Sequence, residues 1–364
     1  MSRVRAAIVG LGVIAPSHVQ ALNEAADRVE LAAIVDNNPR RLEDFAESHG
    51  VRARYSDLQA MLAAEHPDIV HLCTPPGIHL TQIEACLQAG AQVFCEKPLC
   101  GSLAELDRIR EIERRTGGAV ATVSQWRFGS AAQHVKRLIS EGRLGRPMVG
   151  VSNTLWFRDD TYYARDAWRG TWQFELGGSA VTQGIHLTDL FLWLMGQWQE
   201  LSAAIGTINH KIEIDDVSAA LVRFEGGAIG TIMNSVVSPR QESYVRLDFE
   251  HATVEVTALY RYSNENWRFV PAESAAAKNL ASAWPPADDV PSYHVAQYRR
   301  VLDALERHEP PPVATEDVRV VMEYTSSLYK SAATREPVRR GSIGPGDPFY
   351  ERLAGTLAAT GVAA

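Results

Sequence analysis

The chain is predicted to be an α/β protein of two domains, a doubly wound parallel sheet followed by an α+β domain on a mostly antiparallel sheet. Three observations predict it. Short apolar runs alternate with helix-patterned segments from Val4 to Ser124. A Gly-x-Gly turn joins the first apolar run to the first helix. After Ser124 the pattern changes to successive strand-like runs, joined at Gly226-Gly227 and His251-Ala252. At 364 residues the chain exceeds one ordinary core and suits two. The expected spans are 1–124, 125–340 and a tail, 341–364, whose Ala-rich end (358–364) is expected to fray.

In the first domain, Val4–Val9 is an apolar run of the kind a buried parallel strand needs. Gly10 then permits a tight turn, Gly12 leaves space for a pyrophosphate, and Ala15 lets the next helix pack closely. Val13 and Ile14 complete the turn, whose helix end presents free N–H groups to an anion. A second strand, 31–35, ends in Asp36, placed to accept hydrogen bonds from an adenosine ribose. The charge of Asp36 opposes a 2′-phosphate and favours NAD, although Asn37, Asn38, Arg40 and Arg41 follow and an arginine there suits NADP. A helix at Pro39–His49 and a strand at 51–55 come next, and Ser56-Asp57 caps a helix through Ala64. The strand 68–73 runs into Thr74-Pro75-Pro76 and His79, and a helix spans 78–89. Gln92–Cys95 runs into Glu96-Lys97-Pro98, and the helix Leu103–Thr116 and the strand 119–124 close the domain.

The second domain is expected to open with a helix at 131–141 and a strand at 148–157. An irregular aromatic segment follows, then a helix over 177–195 and a sheet of at least five strands from about 201 to 270. A Pro-rich link, 284–291, leads to helices at 293–307 and Thr315–Thr334, both assigned to this domain.

Composition narrows the function. The net charge of −8 argues against nucleic acid or an anionic membrane as the main partner. No apolar run is long enough to span a bilayer, and a first strand at Val4 leaves no room for a signal peptide. Cys73, Cys86, Cys95 and Cys100 lack metal-site spacing, so reduced thiols in a cytoplasmic protein without a metal are expected.

Candidate chemistry lies where doubly wound sheets bind ligands, beyond the carboxyl ends of the strands. Pro98 biases Lys97 to an extended backbone and pins its ammonium group. A lysine at the nicotinamide end of a dinucleotide site can hydrogen-bond a substrate oxygen and exchange its proton. The plain alternative is a surface lysine before a turn. His186 is the second candidate, with Thr182 and Asp189 expected on the same helical face. The aromatic and arginine-rich stretch from Trp156 to Trp172, with Arg158, Trp168 and Arg169, has the character of a carbohydrate-binding wall; core packing is its bland reading, preferred for Trp172.

These motifs together resemble the Gfo/Idh/MocA family of NAD(P)-dependent oxidoreductases, over residues 4 to about 338. The glycine turn, Thr74-Pro75-Pro76 with His79, Glu96-Lys97-Pro98, Gln125-Trp126-Arg127-Phe128, Trp168 to Trp172, and Gly184-Ile185-His186 through Asp189 carry the resemblance in order. It implies an N-terminal Rossmann sheet and a C-terminal α+β domain with a large, mostly antiparallel open sheet that builds homodimers or homotetramers. It implies hydride transfer between NAD and a sugar, sugar derivative or polyol, with Lys97 holding or deprotonating the reacting oxygen and His186 as partner. Cofactor contacts are implied for Asn37, Arg41, Thr74, Pro75, Pro76, His79, Glu96, Lys97, Gln125 and Arg127, beside the glycine turn and Asp36. Substrate contacts are implied for Lys97, Arg127, Trp156, Arg158, Trp168, Arg169, Thr182, Gln183 and His186.

Two positions depart from the pattern. Thr182 stands where many members have Asp and some Asn, which shifts the acid–base role toward Lys97. Leu176 stands in place of a glycine. Two other functions compete: an NAD-dependent glycoside-cleaving enzyme on the same scaffold, and a non-catalytic dinucleotide-binding regulator. Net NADH formation separates the dehydrogenase from the glycoside-cleaving enzyme, and the presence of both Lys97 and His186 weighs against the regulator.

Overall fold

A computed structural model describes residues 3–274, 277 and 280–357, so the expected fraying at 358–364 lies outside the described residues. The chain divides into two units, each with its own sheet. The first comprises the chain up to Gly101, Glu105–Val123 and His294–Val318. Its strands are β1 (Val4–Val9), β2 (Val29–Val35), β3 (Ala53–Tyr55), β4 (Ile69–Leu72), β5 (Gln92–Cys95) and β6 (Val120–Thr122). They form an all-parallel sheet in the order β3-β2-β1-β4-β5-β6. The direction of winding reverses between β1 and β4, and at such a switch point adjacent loops part and leave a crevice.

Local chemistry fixes the helices. Pro39–His49 starts at Asn38, whose side chain accepts from Arg40 N and Arg41 N, and Leu58–Glu65 starts at Asp57 in the same way. Central strands need apolar faces on both sides, and Ile69, Val70 and Leu72 of β4 are fully or nearly fully buried. His71 is buried among them.

The helix His294–Arg307 belongs to this first unit, whereas the sequence reading gave it to the second domain. Its apolar face explains the choice. Tyr298 packs on His71 and Phe94, with ring centroids 4.7 and 5.6 Å apart, and Val301 and Leu302 join the same core. Arg28 ties its outer side through Asp303 and Glu306, each 2.9 Å away.

The second unit comprises Ser102–Ala104, Ser124–Tyr293 and the chain from Arg319 onward. Its strands are β7 (Pro147–Phe157), β8 (Trp198–Gly206), β9 (Val217–Phe224), β10 (Ile229–Ser235), β11 (Val237–Phe249), β12 (Ala252–Ala258), β13 (Trp267–Pro271) and β14 (Val338–Arg339). They form one open sheet, β13-β12-β11-β7-β10-β9-β8-β14, antiparallel except for the β7–β10 pair. Burial alternates along β9 and β10, as a sheet with one covered face requires. The helix Ile185–Met195 packs Phe191 onto Gly150 of β7 and Gly230 of β10, where no side chain intervenes. Val149 of β7, Leu221 of β9, and Ile229 and Met233 of β10 are exposed, and Val149 pairs directly with Ile229.

Two expectations are corrected here. β11 begins at Val237, eight residues before the Val245–Glu250 strand expected ahead of the His251-Ala252 joint, because polar Ser238–Glu242 resembles a turn but passes as an irregularity in the β7 pairing. The helix expected over 177–195 is two helices, Ser179–Thr182 and Ile185–Met195. The break falls at Gly184, where a Cβ would stand 2.1 Å from Asn234 Oδ1 of β10. Thr182 and His186 therefore belong to two different helices.

Candidate active site

The glycine turn leaves β1 toward the end of β4. Gly10 has φ of +86°, and a Cβ there would lie 2.9 Å from the Cys73 carbonyl carbon and oxygen, so only glycine fits. At Gly12 a Cβ would meet nothing within 4 Å, so the turn faces open space. Val13 is 74% exposed, and Ile14 precedes the helix Ala15–Asn23 without a side-chain cap; Pro16 has no N–H, and Ala15 N and Ser17 N donate to the Gly12 and Ile14 carbonyls, so what the helix offers an anion is the positive end of its dipole.

Asp36 does more than await a ribose. Its Oδ2 accepts from Leu11 N at 2.8 Å and its Oδ1 from Asn38 N at 2.8 Å, with Arg41 Nη1 3.6 Å away. One carboxylate thus pins the glycine turn to the loop after β2. Beside that loop, Pro16, Asn38, Arg41, Asp44 and Phe45 line a cleft of about 380 Å³; Asn37 is exposed. Open space at Gly12, a helix N-terminus without a side-chain cap and an anchored acid fit a dinucleotide without a 2′-phosphate.

The loops after β4 and β5 are tied together by His79, which is buried. Its ring nitrogens lie 3.0 Å from the Pro98 carbonyl and 3.0 Å from the Thr74 carbonyl, and burial pushes the imidazole below its ordinary pKa, partly offset by these bonds. His79 therefore shapes the two loops from behind. Thr74 Oγ1 donates to Gln82 Oε1 at 2.5 Å, and Pro75 and Pro76 lead into the helix His79–Gln88.

Glu96 turns inward as well. Its Oε1 accepts from His18 Nε2 at 3.1 Å and His294 Nε2 at 2.8 Å, and its Oε2 accepts from Lys97 N at 3.2 Å. Lys97 is the one residue from Val93 to Cys100 that is not buried. His18, Glu96 and His294 have ligand-type atoms within 4.8 Å of one another, as a metal would require. The carboxylate already accepts both N–H groups, so hydrogen bonding accounts for the cluster. Sequence reasoning missed His18, His71 and His294. A histidine inside the apolar run of β4 was the available signal, since a buried polar side chain there must find a partner.

In the second unit, Gln125 is fully buried with neither its amide nitrogen nor its oxygen bonded to protein. Arg127 is committed elsewhere: its Nε donates to Asp189 Oδ2 at 2.7 Å and its Nη2 to Oδ1, both residues being buried. His186 occupies the first turn of Ile185–Met195, buried, with its ring edge-on to Tyr260 at 5.6 Å. Thr182 Oγ1 lies 2.9 Å from the Gly178 carbonyl and also contacts Gln183 Oε1. Gln183 Nε2 donates to Tyr162 Oη at 3.2 Å, which Arg169 Nη1 also reaches.

The aromatic segment is an alternating stack of rings and guanidinium groups. Arg169 lies over Tyr162 at 4.1 Å and Trp168 at 4.4 Å, and Arg158 over Trp156 at 5.0 Å and Tyr162 at 5.2 Å. Arg169 has acidic neighbours in Asp166 and Glu175. Arg158 has no ion pair among the described residues, and its buried Nε has no hydrogen-bond partner. Trp156 is buried and donates to Ser243 Oγ, so it anchors the stack to β11. Trp172 packs edge-on to Tyr329 at 5.3 Å. Leu176, where the family pattern has glycine, holds φ of +68°, a conformation costly for a side chain with a Cβ.

Comparison with known proteins covers both units. Residues 4–124 match the model of an oxidoreductase family described by its NAD-binding Rossmann fold, and residues 132–257 match the GFO/IDH/MocA C-terminal domain. The chain is 25% identical over 350 residues to D-apiose dehydrogenase of Paraburkholderia graminis, covering 94% of this chain and 91% of that one. It is 30% identical over 237 residues to myo-inositol 2-dehydrogenase of Thermotoga maritima, covering 64% and 68%. Among solved structures, the WlbA dehydrogenase of Bordetella pertussis, in complex with NADH and UDP-GlcNAcA, is 28% identical with a TM-score of 0.83, covering 93% and 99%.

Proposed function

The chain belongs to the Gfo/Idh/MocA family of oxidoreductases, and on that premise we propose that Lys97 carries the proton transfer of its reaction. It is an NAD-dependent oxidoreductase acting on a CH–OH group of a sugar, sugar derivative or polyol. The dinucleotide supplies the hydride acceptor. Lys97 holds the hydroxyl undergoing oxidation and takes its proton, and His186 hydrogen-bonds the substrate. The observation that carries this reading is the exposure pattern after β5: Glu96 is turned inward by two histidines, so the charged group left at the carboxyl end of that strand is the lysine.

The substrate carries an anionic group. Arg158, stacked on two rings with no acidic partner among the described residues, supports a carboxylate or phosphate ligand for its guanidinium. Similarity to an enzyme crystallised with UDP-GlcNAcA supports the same class. NAD⁺ reduction is to be followed with uronic acids, UDP-GlcNAcA, neutral aldoses and polyols. Turnover is expected with the acidic sugars, and Arg158→Ala is expected to lower kcat/KM for those alone. Turnover confined to neutral polyols removes the anionic assignment.

The exposed stripe of Val149, Leu221, Ile229 and Met233 on the open sheet pairs with a second copy of the chain. Light scattering of the wild type and of Ile229→Lys tests it. The four buried free cysteines suit the cytoplasm. No helix among the described residues is long and apolar enough to cross a membrane.

A further inference from the structure

Glu96 and Lys97 are neighbours in sequence, yet their environments differ sharply. Glu96 is buried and accepts three N–H groups, from His18, His294 and the Lys97 backbone. The two imidazoles arrive from the helices Ala15–Asn23 and His294–Arg307, 78 and 198 residues away in the chain. A carboxylate only accepts, so both Nε2 atoms carry protons. His71 Nδ1 lies 2.9 Å from His18 Nδ1, which then accepts the His71 proton. Three neutral rings satisfy these bonds and leave one negative charge on Glu96. Burial opposes that charge, but the bonds from His18 and His294 hold the carboxyl well below the usual range.

A buried ionic cluster is rarely the most stable filling for a core, because apolar residues of like volume avoid the desolvation cost. This one sits at the root of the lysine. A lysine side chain has a long flexible stem, so the position of its ammonium depends on how firmly its backbone is held. The Glu96 carboxylate grips the Lys97 N–H from one side. His79 grips the carbonyls of Pro98 and Leu99, at 3.0 and 3.3 Å, from the other.

We propose that the His18–Glu96–His294 cluster is a positioning clamp that fixes the backbone from which Lys97 presents its ammonium group. Glu96 acts through Lys97, and the proposal rests on the reading of Lys97 as the proton-transfer residue. The matching loss in rate follows from geometry, since a displacement of about 1 Å at a reacting group can cost about a hundredfold.

The test uses the full chain with NAD bound. For the spectra, lysines are reductively dimethylated with ¹³C-formaldehyde and cyanoborohydride before NAD is added, and the Lys97 signal is assigned by its loss in Lys97→Ala; kinetics use unmodified protein. In the wild type this signal is expected away from the position of freely rotating lysines. In His294→Ala it is expected to move to that position, while the NAD dissociation constant stays within about twofold and kcat on the fastest panel sugar falls at least about tenfold. His294→Gln, whose amide N–H reaches the same carboxylate, is expected to restore the signal and kcat to within about threefold. Should His294→Ala fail to fold, Glu96→Gln, of the same shape, gives the same readouts. An unmoved Lys97 signal, or loss of NAD affinity in parallel with kcat, overturns the clamp. Full turnover by Lys97→Ala overturns the catalytic reading instead, and with it the clamp's purpose.

Discussion

Arg127 and Asp189 form a side-on ion pair across 62 residues of sequence, with Arg127 Nε 2.7 Å from Asp189 Oδ2 and Nη2 against Oδ1. The guanidinium also lies 5.6 Å from the centre of the Trp193 ring, one turn beyond Asp189. Arg127 had been expected at the ligand, and Asp189 beside His186. The pair instead joins the segment after β6 to the helix that carries His186.

Removing one partner of a buried pair strands the other charge, which typically costs about 3–5 kcal/mol. Asp189→Asn is therefore expected to destabilise the protein by about 3 kcal/mol in urea unfolding. A loss below about 1 kcal/mol would mean that water or another acid compensates Arg127.

Asp36 gives a second expectation. Its two bonds to Leu11 N and Asn38 N hold the glycine turn, so Asp36→Ala loosens the turn as well as removing a charge. NAD affinity should fall by about tenfold, the scale of one charge-assisted hydrogen bond, and the gap between NAD and NADP should narrow. Calorimetric titration of both cofactors decides it. A gain in NADP affinity with NAD affinity unchanged would show that Asp36 acts by repulsion alone.

Stability should fall on acidification through the neutral range. Burial pushes His18 and His79 below the ordinary histidine value of 6.5 and His71 well below it. Below 6.5 the unfolded chain binds protons that the folded chain refuses, so stability drops as pH falls, by up to about 1.4 kcal/mol per pH unit for each group. Glu96, held low, adds its own loss below its unfolded value of 4.5. The melting temperature should be flat between about pH 7 and 8 and fall from about pH 6.5 to 5, with a shallower slope in His71→Phe. A melting temperature that rises over that interval contradicts the neutral cluster.

Features set by neighbouring residues were legible in the sequence. Pro39–His49 follows from its Asn38 cap and Gly50 stop, and Val4–Val9 and Gln92–Cys95 follow from short, mainly apolar runs. What depends on distant partners was not. Nothing near His294 announces Glu96, and nothing in the apolar periodicity of 177–195 announces that Asn234 crowds Gly184. The glycine turn and Lys97 were read as functional features of the dinucleotide half, and the two glycines and Lys97 are only half-buried, but Glu96, His79 and Arg127, which are buried, looked equally functional. Their partners are intramolecular.

The division of labour between Lys97 and His186 is the remaining expectation. His186 lies in the first turn of an eleven-residue helix, where the positive end of the dipole opposes a further positive charge. The hydroxyl of Thr182 adds no countercharge, and the Asp189 carboxylate is engaged by Arg127. An imidazole so placed suits a hydrogen bond to a substrate oxygen better than capture of its proton. Lys97→Ala should lower kcat by at least about a hundredfold with NAD binding retained, the usual scale for an acid–base group. His186→Ala should cost about tenfold, shared between a lower kcat and a higher KM, as loss of a substrate hydrogen bond predicts. Steady-state kinetics of both variants on one acidic sugar settle the order. If His186→Ala is the more damaging and leaves KM unchanged, the histidine is the base and Lys97 only orients the hydroxyl.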